Sequence, residues 1–256
     1  MKKNELLKNS FLFDELVKRD FKQKYKRTVL GMFWSILSPL LNLAVMTFVF
    51  KRFFGNQTPH YTIYLFCGTL LMSYFRESTT GGMNSLMSNK SIITKINIPK
   101  YLFLLSKNVS VLINFGINFL IFLIFCLFDK IDYTVKFLAL VYPIVCVTIF
   151  NVGVGLILSA LFVFFRDISY IYDVFLTILN YLSAIFYDVK KFSLSQQRLF
   201  LMNPIYCYIK YFRLVVIEGT IPSLKYHLLC LGYAVLMLLI GLRIYKKYNH
   251  KFLYYM

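Results

Sequence analysis

Arg76 and Glu77 stand side by side in a stretch of otherwise uncharged residues, and they are the first place in this chain where chemistry could reside. Upstream, Tyr61 to Phe75 offers about 15 apolar-rich positions, roughly 22 Å of helix, against a hydrocarbon core of roughly 30 Å. A helix that crosses must continue through Ser78-Thr79-Thr80-Gly81-Gly82-Met83 to residue 86, which carries both charges into the membrane's thickness. Charges at that depth are costly unless they pair or face a watery cavity. Neighbours on a helix point in different directions, so at least one of the two should face a lumen or a partner helix. The alternative is a helix that stops at Arg76 and leaves both groups at the interface.

Other chemistry is scarce. No glycine is followed by lysine, so there is no phosphate-binding loop and the chain does not hold its own nucleotide. Neither G-x-S-x-G nor H-E-x-x-H occurs, and His60, His227 and His250 lie far apart. A proton relay would want several buried carboxylates, yet only Glu77 and Asp173 are candidates. Cys67, Cys126, Cys146, Cys207 and Cys230 are scattered singly among apolar residues, with no C-x-x-C pair, and read as small buried hydrophobes. No catalytic residue, metal site or cofactor is expected in this chain. A transporter powered from outside the chain fits this scarcity.

Composition agrees. The chain is 59% hydrophobic and 16% charged, with a mean hydropathy of +0.63, whereas soluble domains are nearer half apolar and a quarter charged. The net charge of +18 does not signal nucleic acid, because the basic residues sit between apolar runs and form no stripe. Orientation in the membrane and attraction to anionic headgroups explain them. The first apolar run lies behind a long charged segment and is too long for a signal-peptide core.

The fold class expected is an all-α integral membrane protein forming one domain over 1–256. An amphipathic helix over 1–28 lies in the interface, with Leu6, Phe13, Val17, Phe21 and Tyr25 on one face and Lys8, Lys18, Arg19, Lys22 and Arg27 mostly on the other; an exposed basic tail is the alternative. Six crossings follow at 30–54, 62–86, 101–128, 137–165, 168–187 and 226–245. Pro39 should kink the first, and Gly153 and Gly155 let the fourth approach its neighbours closely. Between the fifth and sixth, residues 189–223 contain two apolar runs split by Asn203-Pro204. Lys210 and Arg213 interrupt the second run, so these read as short re-entrant helices packed on protein. Six crossings put both termini on one side. Nineteen of the 29 Lys and Arg residues lie there, so the positive-inside rule makes that side cytoplasmic.

Residues 87–100 then become a cytoplasmic segment, too charged to span and too apolar to float free. Ile92, Ile93, Lys95, Ile96 and Pro99 read as the surface on which another protein pushes. The 48 aromatic residues include 20 tyrosines, more than interfacial belts need. Aromatic faces with hydroxyl handles suit sugar rings, which makes Phe33, Trp34, Tyr74 and Tyr187 candidates for a pathway together with Arg76 and Glu77.

Four motifs in register carry a family resemblance over nearly the whole chain. They are Leu16-Val17-Lys18-Arg19-Asp20-Phe21-Lys22 with Tyr25, Leu30-Gly31, Trp34 and Pro39; Asn89, Ile92-Ile93, Lys95, Ile96 and Pro99-Lys100; Phe165-Arg166-Asp167-Ile168; and Asn203-Pro204-Ile205 with Tyr211-Phe212-Arg213 and Glu218-Gly219. The chain resembles the membrane subunit of ABC-2 type polysaccharide exporters, which move O-antigen, capsular polysaccharide or teichoic acid. It departs from that pattern in having no second proline shortly after Pro99, and Arg76-Glu77 has no counterpart in it. The resemblance implies a homodimer pairing with two separate ATPase subunits that bind ATP and Mg, embedded in the lipids of a bacterial cytoplasmic membrane and moving a lipid-linked polysaccharide. It implies ATPase coupling through the segment after the second helix and through Arg19 and Asp20, and closure of the outer end by the helices carrying Asn203, Pro204, Tyr211 and Arg213. A permease of the same class for a drug, lipid or peptide is the alternative. A membrane glycan-modifying enzyme would require a cluster of loop carboxylates or histidines that is not evident.

Overall fold

The computed structural model describes residues 2–25, 31–54, 59–96 and 98–255. Among these it is helical without strands: α1 (Lys2–Tyr25), α2 (Trp34–Phe54), α3 (Tyr61–Ser88), the short α4 (Lys90–Ile93), α5 (Tyr101–Phe128), α6 (Val141–Phe164), α7 (Ile168–Leu182), α8 (Leu194–Phe200), α9 (Pro204–Val216), α10 (Leu224–Tyr248) and α11 (Phe252–Tyr255). Three-residue 3₁₀ turns precede α2 and α8, and a longer one, Val135–Leu140, leads into α6.

Among the described residues, four segments are long and apolar enough to cross a membrane: Trp34–Lys51, Tyr101–Phe128, Val135–Phe164 and Leu224–Tyr248. The six-crossing expectation meets two exceptions. Helix α3 runs unbroken for 28 residues, ample in length, but Arg76, Glu77 and the hydroxyl and amide residues around them make it too polar to qualify by composition. Helix α7 ends at Leu182 after 15 residues, short of the expected 187, because the backbone turns there and Ala184 takes a left-handed φ of 51°.

Helix α3 is the central element and packs against α5 on one side and α6 on the other. Glycines set the closest approaches. A Cβ on Gly82 would lie 3.1 Å from the Cα of Gly155 on α6, and one on Gly153 would lie 2.5 Å from the Leu238 backbone nitrogen on α10. In a membrane, where apolar surface gives helices little reason to associate, such backbone proximity is a main source of attraction.

The segment 189–223 is built by local capping. Ser193 and Gln196 form a reciprocal capping box at the start of α8. Asn203 caps α9, its Oδ1 accepting from the Ile205 and Tyr206 amides at 3.0 and 3.4 Å, with Pro204 in the first turn. Its Nδ2 donates to Ser183 Oγ at 3.0 Å, which ties α9 to the end of α7. Helix α9 is buried nearly all round and so is part of the core, whereas α8 buries none of its residues.

Helix α1 packs on the protein beside its expected apolar stripe. Of the anticipated stripe, Phe13, Val17 and Phe21 are half-buried, and Leu6 and Tyr25 lie outside the described side chains. The side that packs on the protein is one residue away: Leu16 and Asp20 are buried, and Leu12 partly so, against α5.

Candidate functional site

Two cavities meet on one face of α3. The first, about 820 Å³, is lined from α2 by Trp34, Ser35, Ser38 and Asn42, from α5 by Asn114 and Asn118, and from α7 by Asn180, with Tyr74, Phe66 and Phe115 as aromatic wall. The second, about 1660 Å³, is bounded by Arg19, Asp20 and Lys22 of α1, by Asn89, Ser91 and Ile92, by Phe103 and Lys107 of α5, and by Asp173 of α7. Ser73, Arg76 and Glu77 line both.

The reason is helical periodicity. Thr69, Ser73, Arg76 or Glu77, Thr80, Asn84 and Ser88 recur every three or four residues and so share a side of α3, and all of them line one cavity or the other. Lys107, Val111, Asn114 and Asn118 form the matching row on α5, and Ser35, Ser38 and Asn42 a shorter one on α2. Most members of these rows are hydroxyl and amide residues at helical spacing, a pattern present in the sequence that neither charge nor catalytic motifs reveal.

Glu77 is half-buried and accepts a hydrogen bond from Asn114 Nδ2 at 3.3 Å; Arg76 is exposed to the cavities. The two residues thus meet different surroundings, and among the described residues no ion pair joins them. Lys107 is half-buried and its aliphatic stem lies across Gly81, where a Cβ would come 3.0 Å from Cγ and 3.1 Å from Cε. Only glycine leaves room for the lysine to lie flat there.

The aromatic candidates separate. Trp34 and Tyr74 line the first cavity; Tyr74 is otherwise buried, its hydroxyl 2.9 Å from Thr148 Oγ1 and its ring 4.5 Å from that of Phe115. Phe33 is exposed and lines neither cavity. Tyr187 also lines neither: its hydroxyl donates to the Tyr181 carbonyl at 2.9 Å and its ring sits against Phe192 and Phe200.

In the segment after α3, Ile93 is buried with Leu86, Phe103 and Leu16. It anchors the segment, so the contact surface anticipated there is narrower: Lys95 and Ile96 are exposed, Ile92 and Pro99 half-buried. Lys100 donates from Nζ to the Asn249 carbonyl at 3.0 Å, and burial holds its pKa below the usual lysine value. Arg19 grips Asp20 through Nε and Nη2, at 3.0 and 2.7 Å from the same oxygen, and Ser106 Oγ donates to the other at 3.4 Å. Asp20 thereby fastens α1 to α5.

Among the residues expected at the outer end, Arg213 is buried. It is only 7% exposed, and its guanidinium donates to the carbonyls of Tyr64, Ala184 and Ile185 at 2.9–3.3 Å while lying 3.4 Å from the Tyr64 ring centroid. It joins α9, α3 and the turn after α7. Tyr211 is buried and its hydroxyl meets His227 Nε2 at 2.8 Å. All five cysteines are buried free thiols, and the described residues contain no cluster of metal-ligating side chains.

Comparison with known proteins agrees with this architecture. Two O-antigen export system permease proteins RfbA of Klebsiella pneumoniae are each 27% identical over 249 residues, covering 94% of this chain and 95% of theirs. The RfbA permease of Myxococcus xanthus is 23% identical over 223 residues, covering 86% and 85%. Residues 12–217, which include α2 to α9 and so both cavities, match the ABC-2 type transporter membrane family, and the chain belongs to that family.

Proposed function

We propose that this chain is the channel-forming permease of an ATP-driven exporter that moves a lipid-linked polysaccharide across the cytoplasmic membrane of a bacterium. One observation carries the reading: α2, α3 and α5 turn rows of hydroxyl and amide groups toward two cavities that meet midway along α3. Such rows would be expensive against lipid and are suited to a polar chain. The RfbA relatives, named for O-antigen export, favour a glycan over a drug or peptide.

In this reading the chain crosses six times. Helix α3 crosses because its polar side faces the pathway, and α7 spans together with the turn that follows it. Both termini and α4 lie in the cytoplasm, and α8 and α9 close the outer end as re-entrant helices. Two copies assemble with two separate ATPase subunits, which bind ATP and Mg. The exposed apolar face of α7, with Ile171, Val174, Phe175 and Ile178, suits contact with a second copy or with lipid. Lys95 and Ile96 offer the ATPase a small exposed contact, and the buried Ile93 transmits its displacement to α3 and α5.

The test is removal of the chain from its host and replacement by a plasmid copy. Loss of surface polysaccharide, with lipid-linked glycan accumulating inside and an ATPase co-purifying with the restored chain, is the expected outcome. Unchanged surface glycan on removal would refute the reading.

A further inference from the structure

We infer that the second cavity binds the phosphate group of a lipid, with Lys107 as its anchor. The inference names the part of a lipid-linked cargo that the protein holds, and its tie to that cargo rests on the polysaccharide-permease reading. It starts from one side chain. The stem of Lys107 lies flat on α3 where Gly81 has no side chain, and both residues line the second cavity. Among the described residues the Lys107 ammonium has neither a hydrogen bond nor an ion pair. Of the chain's 11 acids only Glu5 lies outside the described side chains, and Lys107 pairs with none of the rest.

Its depth makes a lone cation costly. Helix α5 has 28 residues, roughly 42 Å, about the thickness of a bilayer with its headgroups. Lys107 stands about 9 Å from the start of that helix, just inside the hydrocarbon boundary. A cation there needs an anion or water. A lysine facing lipid would reach for the headgroups along the outside of its helix, whereas this one is laid between α5 and α3. The groups around it suit phosphate. Arg76, Thr80 and Asn84 follow one another at four-residue spacing on α3 and so share a side, and all three line the cavity. The Thr80 hydroxyl is buried without a hydrogen-bond partner among the described residues. Ammonium, guanidinium and hydroxyl groups all donate to phosphate oxygens, the charged ones most strongly. The carboxylates of the same lining are engaged or apart: Asp20 is held by Arg19 and Ser106, Glu77 accepts from Asn114, and Asp173 is exposed on α7 with no ion pair to Lys107 or Arg76.

The full-length protein in dodecyl maltoside, an uncharged glycoside, is titrated with radiolabelled dodecyl phosphoglucose, a single-chain lipid with a phosphate-linked sugar. Binding should saturate. Lys107→Gln should weaken it about tenfold or more, the worth of one charge-assisted hydrogen bond, whereas Lys107→Arg, which keeps the charge, should stay within about threefold. Gly81→Ala should weaken binding about threefold by shifting the lysine without loss of stability, a result that misfolding cannot produce. Phosphatidylglycerol separates the two sources of a lipid phosphate. Displacement of the probe at equal concentration assigns the site to a phospholipid headgroup, and failure to displace it assigns the site to the phosphate of the lipid-linked glycan. Binding that does not saturate, or equal affinity in Lys107→Gln, would overturn the inference and leave the permease reading to stand on loss of surface polysaccharide when the chain is removed. Unchanged surface polysaccharide would overturn that reading and leave the Lys107 site as a phospholipid site.

Discussion

The stem of Lys107 on α5 lies in the notch left by Gly81 on α3, while the next residue, Gly82, touches the backbone of Gly155 on α6. Two adjacent glycines therefore hold different neighbours, one a flexible side chain and the other a main chain. Gly81→Ala should leave stability unchanged or raise it by up to about 1 kcal/mol, since the lysine can move aside and alanine favours the helix. Gly82→Ala should cost about 1–3 kcal/mol through overpacking, and Gly153→Ala at least as much. Thermal unfolding in detergent should rank them in that order, and equal effects at 81 and 82 would contradict the packing described.

Arg213 binds three carbonyls from two separate segments and stacks on Tyr64. Lysine keeps the charge but loses the planar fork. Arg213→Lys should destabilise the protein by about 2–4 kcal/mol, because buried carbonyls are left without donors. Tyr64→Phe, which loses only the hydroxyl's bonds to the Tyr187 and Ala184 carbonyls, should cost about 1 kcal/mol. Unfolding midpoints in matched detergent, with trypsin cleavage at Lys190 or Lys191 as a local probe, separate the two.

Ile93 and Ile96 are three residues apart and should behave as different kinds of residue. Ile93→Ala removes a buried side chain and should cost about 2–4 kcal/mol. Ile96, 53% exposed, should tolerate alanine within about 0.5 kcal/mol and, if it meets the ATPase, lower the number of glycans exported per ATP hydrolysed. Lys95→Glu should do the same. ATPase and export rates measured on one reconstituted preparation decide the matter, and unchanged coupling in both variants would remove this segment from the mechanism.

Asp20 is fixed by Arg19 and Ser106 at once. Asp20→Ala should release α1 from α5 and raise hydrogen exchange across residues 10–22, whereas Ser106→Ala, which removes one long bond, should have a smaller effect of about 0.5–1 kcal/mol. Exchange that is unchanged in the Asp20 variant would mean that α1 is held by Leu12 and Leu16 alone.

The sequence by itself determined the class, the family and most of the helices. Long uncharged runs admit few structures in lipid, where every backbone group must find its partner within a helix. The length argument alone carries α3 past Arg76, and Asn203-Pro204 announces the start of α9 through its cap. Rotation about each helix axis was another matter. A residue facing lipid and a residue facing the core are both apolar, so hydrophobic spacing does not say which way α1 or the 87–100 segment turns. The packed side of α1 falls at Leu12, Leu16 and Asp20, Ile93 lies inside, and Arg213 is a buried clasp. Only tertiary packing decided these, because each depends on a surface supplied by another helix. The polar rows of α2, α3 and α5 were written in the sequence one helix at a time, and it took the packing of the three helices to turn them toward common cavities.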